Sequence, residues 1–242
     1  MKNQYLADLG DYGKYGLLRF LAGKGVRIGV NWYLTPDDGS KAGKFKDYLK
    51  RPIEDWVIDR ELFQKLQEIH ALSKSTVEDT ERAGLIPGAV YYPELLDQRD
   101  LSSEERRANR RRWFEESVPV LQDAELIFAD PDNGISYRMT AGRRFNEKFI
   151  LPCEAEAYYR SGKDVVVYCH KGRRSKAAWK KVRTDLKERL GDAQILTLTY
   201  HKGTQRSYIF ALHPSSREKY GQWIRSFLSL GWDKVFTEDG SL

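Results

Sequence analysis

Two carboxylates, a proline, an amide and a glycine directly follow a short apolar run, Leu126 to Ala129. That run has the composition of a strand that is covered on both faces. Because open α/β sheets bind ligands beyond the carboxyl ends of their strands, the polar segment predicts a site. Asp130 could accept a hydrogen bond from an amine, act as a base or hold a divalent metal, and Asp132 and Asn133 add further oxygen atoms. We interpret these three as candidate catalytic residues; the structural alternative is an Asp-Pro turn closed by Asn-Gly.

A second acidic strand end lies earlier in the chain. The apolar run 26–34 ends in the segment T-P-D-D-G, residues 35–39. Parallel strands end at one edge of a sheet, so Asp37 or Asp38 could face Asp130. With Asp132 they would then form an oxygen ligand set for Mg²⁺ or Mn²⁺. An ordinary Asp-Gly turn is an equally good interpretation.

Basic residues cluster in two places. His170 directly follows the apolar run 164–169 and is a candidate acid, base or metal ligand. The basic residues after it stand where a helix begins, which suits phosphate binding, and the segment 106–112 carries five arginines. The residues predicted to contact nucleic acid are Lys171, Arg173, Arg174, Arg110, Arg111 and Arg112. Two solvated helix faces are the structural alternative.

Two further polar segments could contribute to a site. Residues 8–16 bring three glycines, two acids, two tyrosines and a lysine to the start of a helix, with Asp11 and Lys14 among them. Glycine allows a ligand to approach the backbone closely, whereas a simple helix cap by Asp11 is the structural alternative. The segment 200–208 joins two strands, and we expect a solvated turn there more than a substrate contact.

Composition limits the class of protein. The chain has 242 residues and a net charge of +6, which permits a polyanionic partner without requiring one. Its two cysteines, Cys153 and Cys169, do not form a C-x-x-C pair, so a cysteine zinc site is not expected. No apolar stretch approaches the roughly 20 residues of a membrane span, and the first ten residues lack a signal-peptide core. A cytoplasmic protein with free thiols is expected. The sequence lacks the Walker A, H-E-x-x-H and G-x-S-x-G patterns.

The pattern of elements predicts an α/β protein. A helix at 12–21 and a strand at 26–34 precede a mainly helical insertion at about 40–121. The predicted elements of the insertion are helices at 60–72 and 102–120 and a possible short strand at 89–92. The elements after it are strands at 126–129, 164–169, 194–200 and 207–212 and helices at 154–160, 175–190 and 218–228. We predict a single domain over 1–242, with a Rossmann-like, mostly parallel sheet and an antiparallel C-terminal edge hairpin.

This order of parts resembles the Rossmann-like methyltransferases. It is most similar to the ribosomal RNA adenine methyltransferases that begin with a helix bearing an A-D-x-x-K-H pattern, whose lysine aligns with Lys14. The family's D-P-P-Y or D-P-P-F strand end is matched by Asp130 and Pro131, whereas Asp132 and Asn133 replace the second proline and the aromatic residue. The acidic segment 35–39 replaces the family's glycine-rich loop. The chain also looks like a group of bacterial proteins of unassigned activity that share the N-Q-Y, L-T-P-D-D and D-P-D-N-G segments.

The resemblance implies a nucleic-acid-modifying enzyme that uses S-adenosylmethionine. Asp130 would accept from the target amine, and the cofactor would be held by Asp11, Lys14, Asp37 and Asp38. A metal-dependent nuclease on the same scaffold is the first alternative, with Mg²⁺ or Mn²⁺ on the acidic cluster and His170 as acid or base. The second alternative is a module without catalysis that binds nucleic acid or a protein partner.

Overall fold

Seven strands form one sheet in a computed structural model, which describes residues 1–40, 43, 45–51, 54–172 and 174–240. The strands are β1 Ile28–Asn31, β2 Val90–Tyr92, β3 Leu126–Ala129, β4 Asp164–His170, β5 Gln194–Tyr200, β6 Arg206–Leu212 and β7 Phe236–Asp239. The helices are α1 Leu9–Gly23, α2 Arg60–Ala71, α3 Val77–Arg82, α4 Ser103–Val120, α5 Pro152–Arg160, α6 Lys176–Leu190 and α7 Pro214–Ser229. The expected mixed α/β class is therefore confirmed.

The strand order is β2-β1-β3-β4-β6-β5-β7. The first four strands in this order pair in parallel, with Asn31 of β1 beside Ala129 of β3 and Ala129 beside Val167 of β4. The carboxyl ends of β1, β3 and β4 therefore meet at one edge of the sheet. The polar segments that follow those strands are brought to the same edge.

The C-terminal half of the sheet is antiparallel. Strand β6 pairs with both β4 and β5, so the predicted hairpin of β5 and β6 is present. The prediction that this hairpin forms the edge of the sheet is wrong, because β7 pairs with β5 on its outer side. The four residues of β7 follow a short 3-10 helix, Trp232–Lys234, and two of them are exposed, which left only a weak strand pattern in the sequence.

The two faces of the sheet carry separate apolar cores. Leu126 and Phe128 of β3 belong to one core, and Ile127 and Ala129 belong to the other, because successive strand residues point to opposite faces. Helices α1, α2 and α7 cover the first face, whereas α4, α5 and α6 cover the second. Among the described residues, no helix is both long and apolar enough to cross a membrane.

Side-chain caps define where several helices begin. Asp59 caps α2 by accepting from the amide of Leu62 at 2.8 Å, and Ser102 forms a capping box with Glu105 at the start of α4. Helix α1 starts earlier than predicted, because Asp8 rather than Asp11 is its N-cap and accepts from the amide of Gly10 at 2.6 Å. Asp11 thus lies inside the first turn, where its carboxylate is available to other partners.

Candidate functional site

A cavity of about 350 Å³ opens at the edge of the sheet where β1, β3 and β4 end. Four parts of the chain contribute its polar side chains: the start of α1, the segment after β3, the end of β4 and the start of β6. The residues that line it include Met1, Asp8, Asp11, Lys14, Phe45, Asp130, Asp132, Asn133, Lys148, Tyr168, His170 and Arg206. The predicted candidates on the β3 and β4 ends therefore share one cavity with residues of α1.

Lys14 links α1 to the end of β3. Its ammonium group lies 2.8 Å from the carboxylate of Asp11 and 2.8 Å from that of Asp130, and all three side chains are buried. Burial lowers the pKa of Lys14, but the charges of Asp11 and Asp130 outweigh it, so the pKa lies well above its ordinary value. The lysine is a fixed cation that occupies Oδ2 of Asp130.

The amino group of Met1 lies between the ends of β1 and β3. It donates to the carbonyl oxygens of Trp32 at 3.1 Å, Tyr33 at 3.1 Å and Asp130 at 2.8 Å. It also lies 3.0 Å from Oδ1 of Asp132, in an ion pair whose angles do not make a hydrogen bond. Three carbonyls and one carboxylate thus form an ammonium-binding cradle, which we call the ammonium cradle.

Backbone strain accompanies this cradle. Tyr33 has a φ of 46°, in the left-handed region that non-glycine residues rarely adopt, and its amide donates to the side chain of Asn31 at 3.1 Å. This conformation lets the carbonyls of Trp32 and Tyr33 both reach the amino group of Met1. Strain of this kind concentrates at functional sites, because the surrounding contacts must maintain it.

Asp132 carries the least satisfied charge in the cavity. Its side chain is 6% exposed, and neither carboxylate oxygen has a hydrogen-bond partner among the described residues. A buried carboxylate without hydrogen bonds is costly. A ligand that brings an N–H or O–H donor into the cavity would remove that cost.

A hydrogen-bonded chain crosses the other side of the cavity. Both carboxylate oxygens of Asp8 accept from Arg206, at 3.0 and 2.8 Å, and Arg206 also donates to the hydroxyl of Tyr168 at 3.1 Å. That hydroxyl lies 3.0 Å from Nε2 of His170. Burial and the charge of Arg206 lower the pKa of His170, which favours the neutral imidazole.

Glycines of α1 permit these contacts. A Cβ on Gly10 would lie 2.1 Å from Nε of Arg206, and one on Gly13 would lie 2.6 Å from the ring of Tyr200. The glycines were expected to admit a ligand. In the structure, Gly10 and Gly13 instead leave room for side chains of β6 and β5, so α1 packs closely against the sheet.

The predicted role of Asp37 and Asp38 beside Asp130 is not met. Neither residue lines the cavity. Asp38 pairs with Lys2 at 2.7 Å, a contact that lowers its pKa, and Asp37 accepts from the amide of Gln4 at 3.0 Å. These contacts hold both carboxylates against the N-terminal segment instead. The described residues contain no group of three His, Cys, Asp or Glu side chains that could hold a metal ion, so the ligand set for Mg²⁺ or Mn²⁺ is not assembled.

The predicted role of Arg110 in binding nucleic acid is wrong. Its side chain is 1% exposed and makes two 2.6 Å contacts with the carboxylate of Glu154, because this position of α4 faces α5. Arg111 and Arg112 on the same helix are exposed but do not line the cavity. Contacts of these two arginines with nucleic acid remain predictions.

The predicted basic residues after β4 lie next to the cavity. Lys171 directly follows His170, and the guanidinium group of Arg174, four positions after His170, donates to the carbonyls of His170 and Lys171. Arg173 lies outside the described residues. The β4 end is therefore where a basic surface and the cavity adjoin.

Sequence reasoning missed several residues of the site, namely Met1, Asp8, Phe45, Lys148, Tyr168 and Arg206. Asp8 and Arg206 are 198 positions apart in the sequence, so no local pattern pairs them. The segment around Arg206 was expected to be a solvated turn, yet Arg206 is buried against Asp8. The one feature of the sequence that could have indicated a role for Arg206 is its position at the start of an otherwise apolar strand.

Comparisons with known proteins give a distant likeness only. No family model matches the chain, and no curated protein matches it. The chain is similar to a crystal structure of protein LPL1258 from Legionella pneumophila strain Philadelphia 1, assigned to the family model DUF519. The identity is 12%, the TM-score is 0.46, and the alignment covers 97% of this chain and 96% of that chain.

Proposed function

We propose that this protein is a methyltransferase that uses S-adenosylmethionine and acts on an amino group of nucleic acid. The observation that carries the proposal is the ammonium cradle at the ends of β1 and β3. Its oxygens hold the amino group of a methionine, Met1, at 2.8 to 3.1 Å. S-adenosylmethionine carries the same amino group on the same methionine skeleton, so the acceptor oxygens of the cradle fit it.

The position of the cradle supports the same proposal. Strand β1 is the point at which the chain order reverses, since β2 lies on one side of it and β3 on the other. Ligands of open α/β sheets bind at such switch points. The insertion of antiparallel β6 between β4 and β5 is also consistent with the Rossmann-like methyltransferase arrangement that the sequence resembles. In this proposal, the cofactor displaces Met1 from the cradle.

The cavity offers groups for a target amine as well. When bound, S-adenosylmethionine supplies an electrophilic methyl group. The carboxylate of Asp132 would accept a hydrogen bond from the amine and take the proton that the amine loses when its nitrogen displaces the methyl group from sulfur, with formation of the N–C bond and cleavage of the S–C bond. Asp130 is less suited to this step, because Lys14 occupies its Oδ2.

Phe45 supplies an aromatic ring that the D-P-D-N segment lacks. Its side chain lines the cavity and is 58% exposed, and its carbonyl accepts from the amide of Leu9 at 3.0 Å, which ties it to the start of α1. Stacking on an aromatic ring is the common way to hold an unpaired base. Lys171 and Arg174 beside the cavity suit the phosphate backbone.

Transfer of a labelled methyl group tests this proposal. Purified protein is incubated with methyl-tritiated S-adenosylmethionine and single-stranded RNA or DNA, and the label in the nucleic acid is counted. We expect incorporation by the wild type, a loss of about 100-fold or more in Asp132→Asn, and unchanged incorporation in Asp37→Asn, whose carboxylate lies outside the cavity. The absence of both cofactor binding and incorporation in the wild type would overturn the proposal.

A further inference from the structure

The two hydrogen bonds of the Tyr168 hydroxyl, to Arg206 and to His170, can each be assigned a donor and an acceptor. A guanidinium group can only donate, so the Tyr168 oxygen accepts from Nε of Arg206 at 3.1 Å. Arg206 is itself held by Asp8 at 2.8 and 3.0 Å. The hydroxyl has one proton of its own, and Nε2 of His170 lies 3.0 Å away. The phenol oxygen could also accept from an Nε2–H group, but the proton of Tyr168 would then have no acceptor among the described residues, so Tyr168 is assigned as the donor to His170.

This direction sets the tautomer of His170. A neutral imidazole carries one proton, and Nε2 accepts from Tyr168, so the proton is on Nδ1. Burial and the positive charge of Arg206 lower the pKa of the ring, against the opposing charges of Asp8, Asp132 and Asp130, which favours the neutral ring. His170 thus offers an N–H donor rather than a basic nitrogen.

A cation without a carboxylate partner lines the same cavity. Lys148 has no acidic group within 4.0 Å among the residues that the structure describes. Its ammonium group lies 5.6 Å from the centroid of the exposed ring of Phe145. The other cations of the cavity already have carboxylate partners: Lys14 pairs with Asp11 and Asp130, Arg206 with Asp8, and the amino group of Met1 with Asp132.

We infer that the Nδ1–H of His170 and the ammonium group of Lys148 form a subsite for an anionic oxygen, a carboxylate or a phosphate. A hydrogen-bond donor and an unpaired cation in one cavity are what such a group requires. Asp8, Arg206 and Tyr168 are positioning residues, because they act through the tautomer of His170. The subsite depends on the cavity but not on methyl transfer, so failure to bind S-adenosylmethionine would leave it standing.

The tautomer can be read directly by nitrogen NMR. The chain has four histidines, and the His170 signals are assigned as those missing from His170→Gln in protein labelled with ¹⁵N on histidine. We expect the long-range proton–nitrogen pattern of an Nδ1–H ring in the wild type and a mixture of tautomers in Tyr168→Phe. An Nε2–H ring in the wild type would overturn the inference without reliance on any variant.

Titration with two anions tests the subsite and separates its sources. Inorganic phosphate represents a nucleotide phosphate, and acetate represents a carboxylate. We expect at least one of them to shift the His170 signals saturably, and Lys148→Gln to weaken that binding about tenfold or more, as loss of a charge-assisted hydrogen bond should. Lys180→Gln, an exposed position of α6 that does not line the cavity, should bind as the wild type does. No shift with either anion, or equal affinities for Lys148→Gln and wild type, would refute the subsite.

Discussion

Two buried ion-pair clusters show what separates a structural charge from a functional one. In the Arg110 cluster, between α4 and α5, Arg110 contacts both oxygens of Glu154 and the carbonyls of Asn146 and Phe149. Glu154 also accepts from the amide of Leu151 at 2.9 Å and the hydroxyl of Tyr33 at 3.2 Å. The charged groups of Arg110 and Glu154 each have partners, and neither residue lines the cavity at the strand ends.

The cluster around Lys14 differs from the Arg110 cluster in its hydrogen bonding and in the cavity beside it. Asp11, Lys14 and Asp130 are as deeply buried as the Arg110 cluster, yet the adjacent Asp132 has two oxygens without hydrogen bonds, and a cavity of about 350 Å³ lies next to them. A closed network, in which every polar group has a partner, stabilises the fold. An incomplete network, in which some polar atoms lack hydrogen bonds, can accept a ligand. Tyr33 joins the two, since its hydroxyl contacts Glu154 and its carbonyl belongs to the ammonium cradle.

The largest expected effect is on the closed cluster. Arg110→Met leaves Glu154 as a buried charge without its partner, so we expect the free energy of unfolding to fall by about 3–5 kcal/mol in urea titration. Arg111→Met, its exposed neighbour, should change it by less than about 0.5 kcal/mol. Equal effects of the two variants would mean that Arg110 is not the structural charge described above.

The next largest effect on stability concerns the packing of α1 against the sheet. A Cβ on Gly13 would lie 2.6 Å from the ring of Tyr200, so Gly13→Ala should lower the free energy of unfolding by about 1–3 kcal/mol. Gly23→Ala is the matched control, because no atom lies within 4 Å of its added Cβ. It should leave the stability unchanged or raise it by up to about 1 kcal/mol. A neutral Gly13→Ala would show that α1 is not packed this tightly beside the cavity.

The stability of Asp132→Asn, compared with that of Arg110→Met, distinguishes the two clusters most clearly. Asp132→Asn keeps the shape but removes a buried charge that lacks hydrogen bonds. It also removes the 3.0 Å ion pair with the amino group of Met1, which keeps its three carbonyl partners. We therefore expect the free energy of unfolding to fall by about 1 kcal/mol or less, well below the loss in Arg110→Met. A drop comparable to that of Arg110→Met in the same urea titration would place Asp132 with the structural charges.

The smallest effect is a pH dependence at His170. Its pKa is lower in the folded protein than in the unfolded chain, so the unfolded chain binds more protons as pH falls below about 6.5. Stability from this group is present above that pH and is lost on acidification, with a slope of at most about 1.4 kcal/mol per pH unit. His170→Gln should lack this contribution in urea titrations at several pH values. An identical pH dependence in the variant would contradict the assignment.

Local patterns were sufficient for most of the elements. Apolar runs and caps predicted β3, the start of α4 and the helical span of α2 within a residue or two, because each signal lies within one element. The strand ends at Asp130 and His170 were also found, since parallel strands place their carboxyl ends together. The edge strand β7 was not found, because its pairing with β5 is not local. The early start of α1 was not found, because the cap was assigned to Asp11 rather than to Asp8.

Long-range pairing decided the rest of the site. The Asp8–Arg206 and Lys14–Asp130 pairs join residues 198 and 116 positions apart, which no spacing rule could connect. Conversely, Asp37 and Asp38 have the composition of a site but are held by Lys2 and Gln4 outside the cavity. Arg110 stood in an arginine run, and only its contact with Glu154 distinguished it from its exposed neighbours.

Calorimetric titration with S-adenosylmethionine tests the central claim, that the incomplete cluster is a cofactor-binding site. We expect the wild type to bind it and Asp132→Asn to bind it at least about tenfold more weakly at a temperature where both proteins are folded, because Asp132 contributes the one carboxylate of the ammonium cradle. Asp37→Asn should bind as the wild type does. No heat of binding with the wild type, or equal affinity of the wild type and Asp132→Asn, would contradict the account.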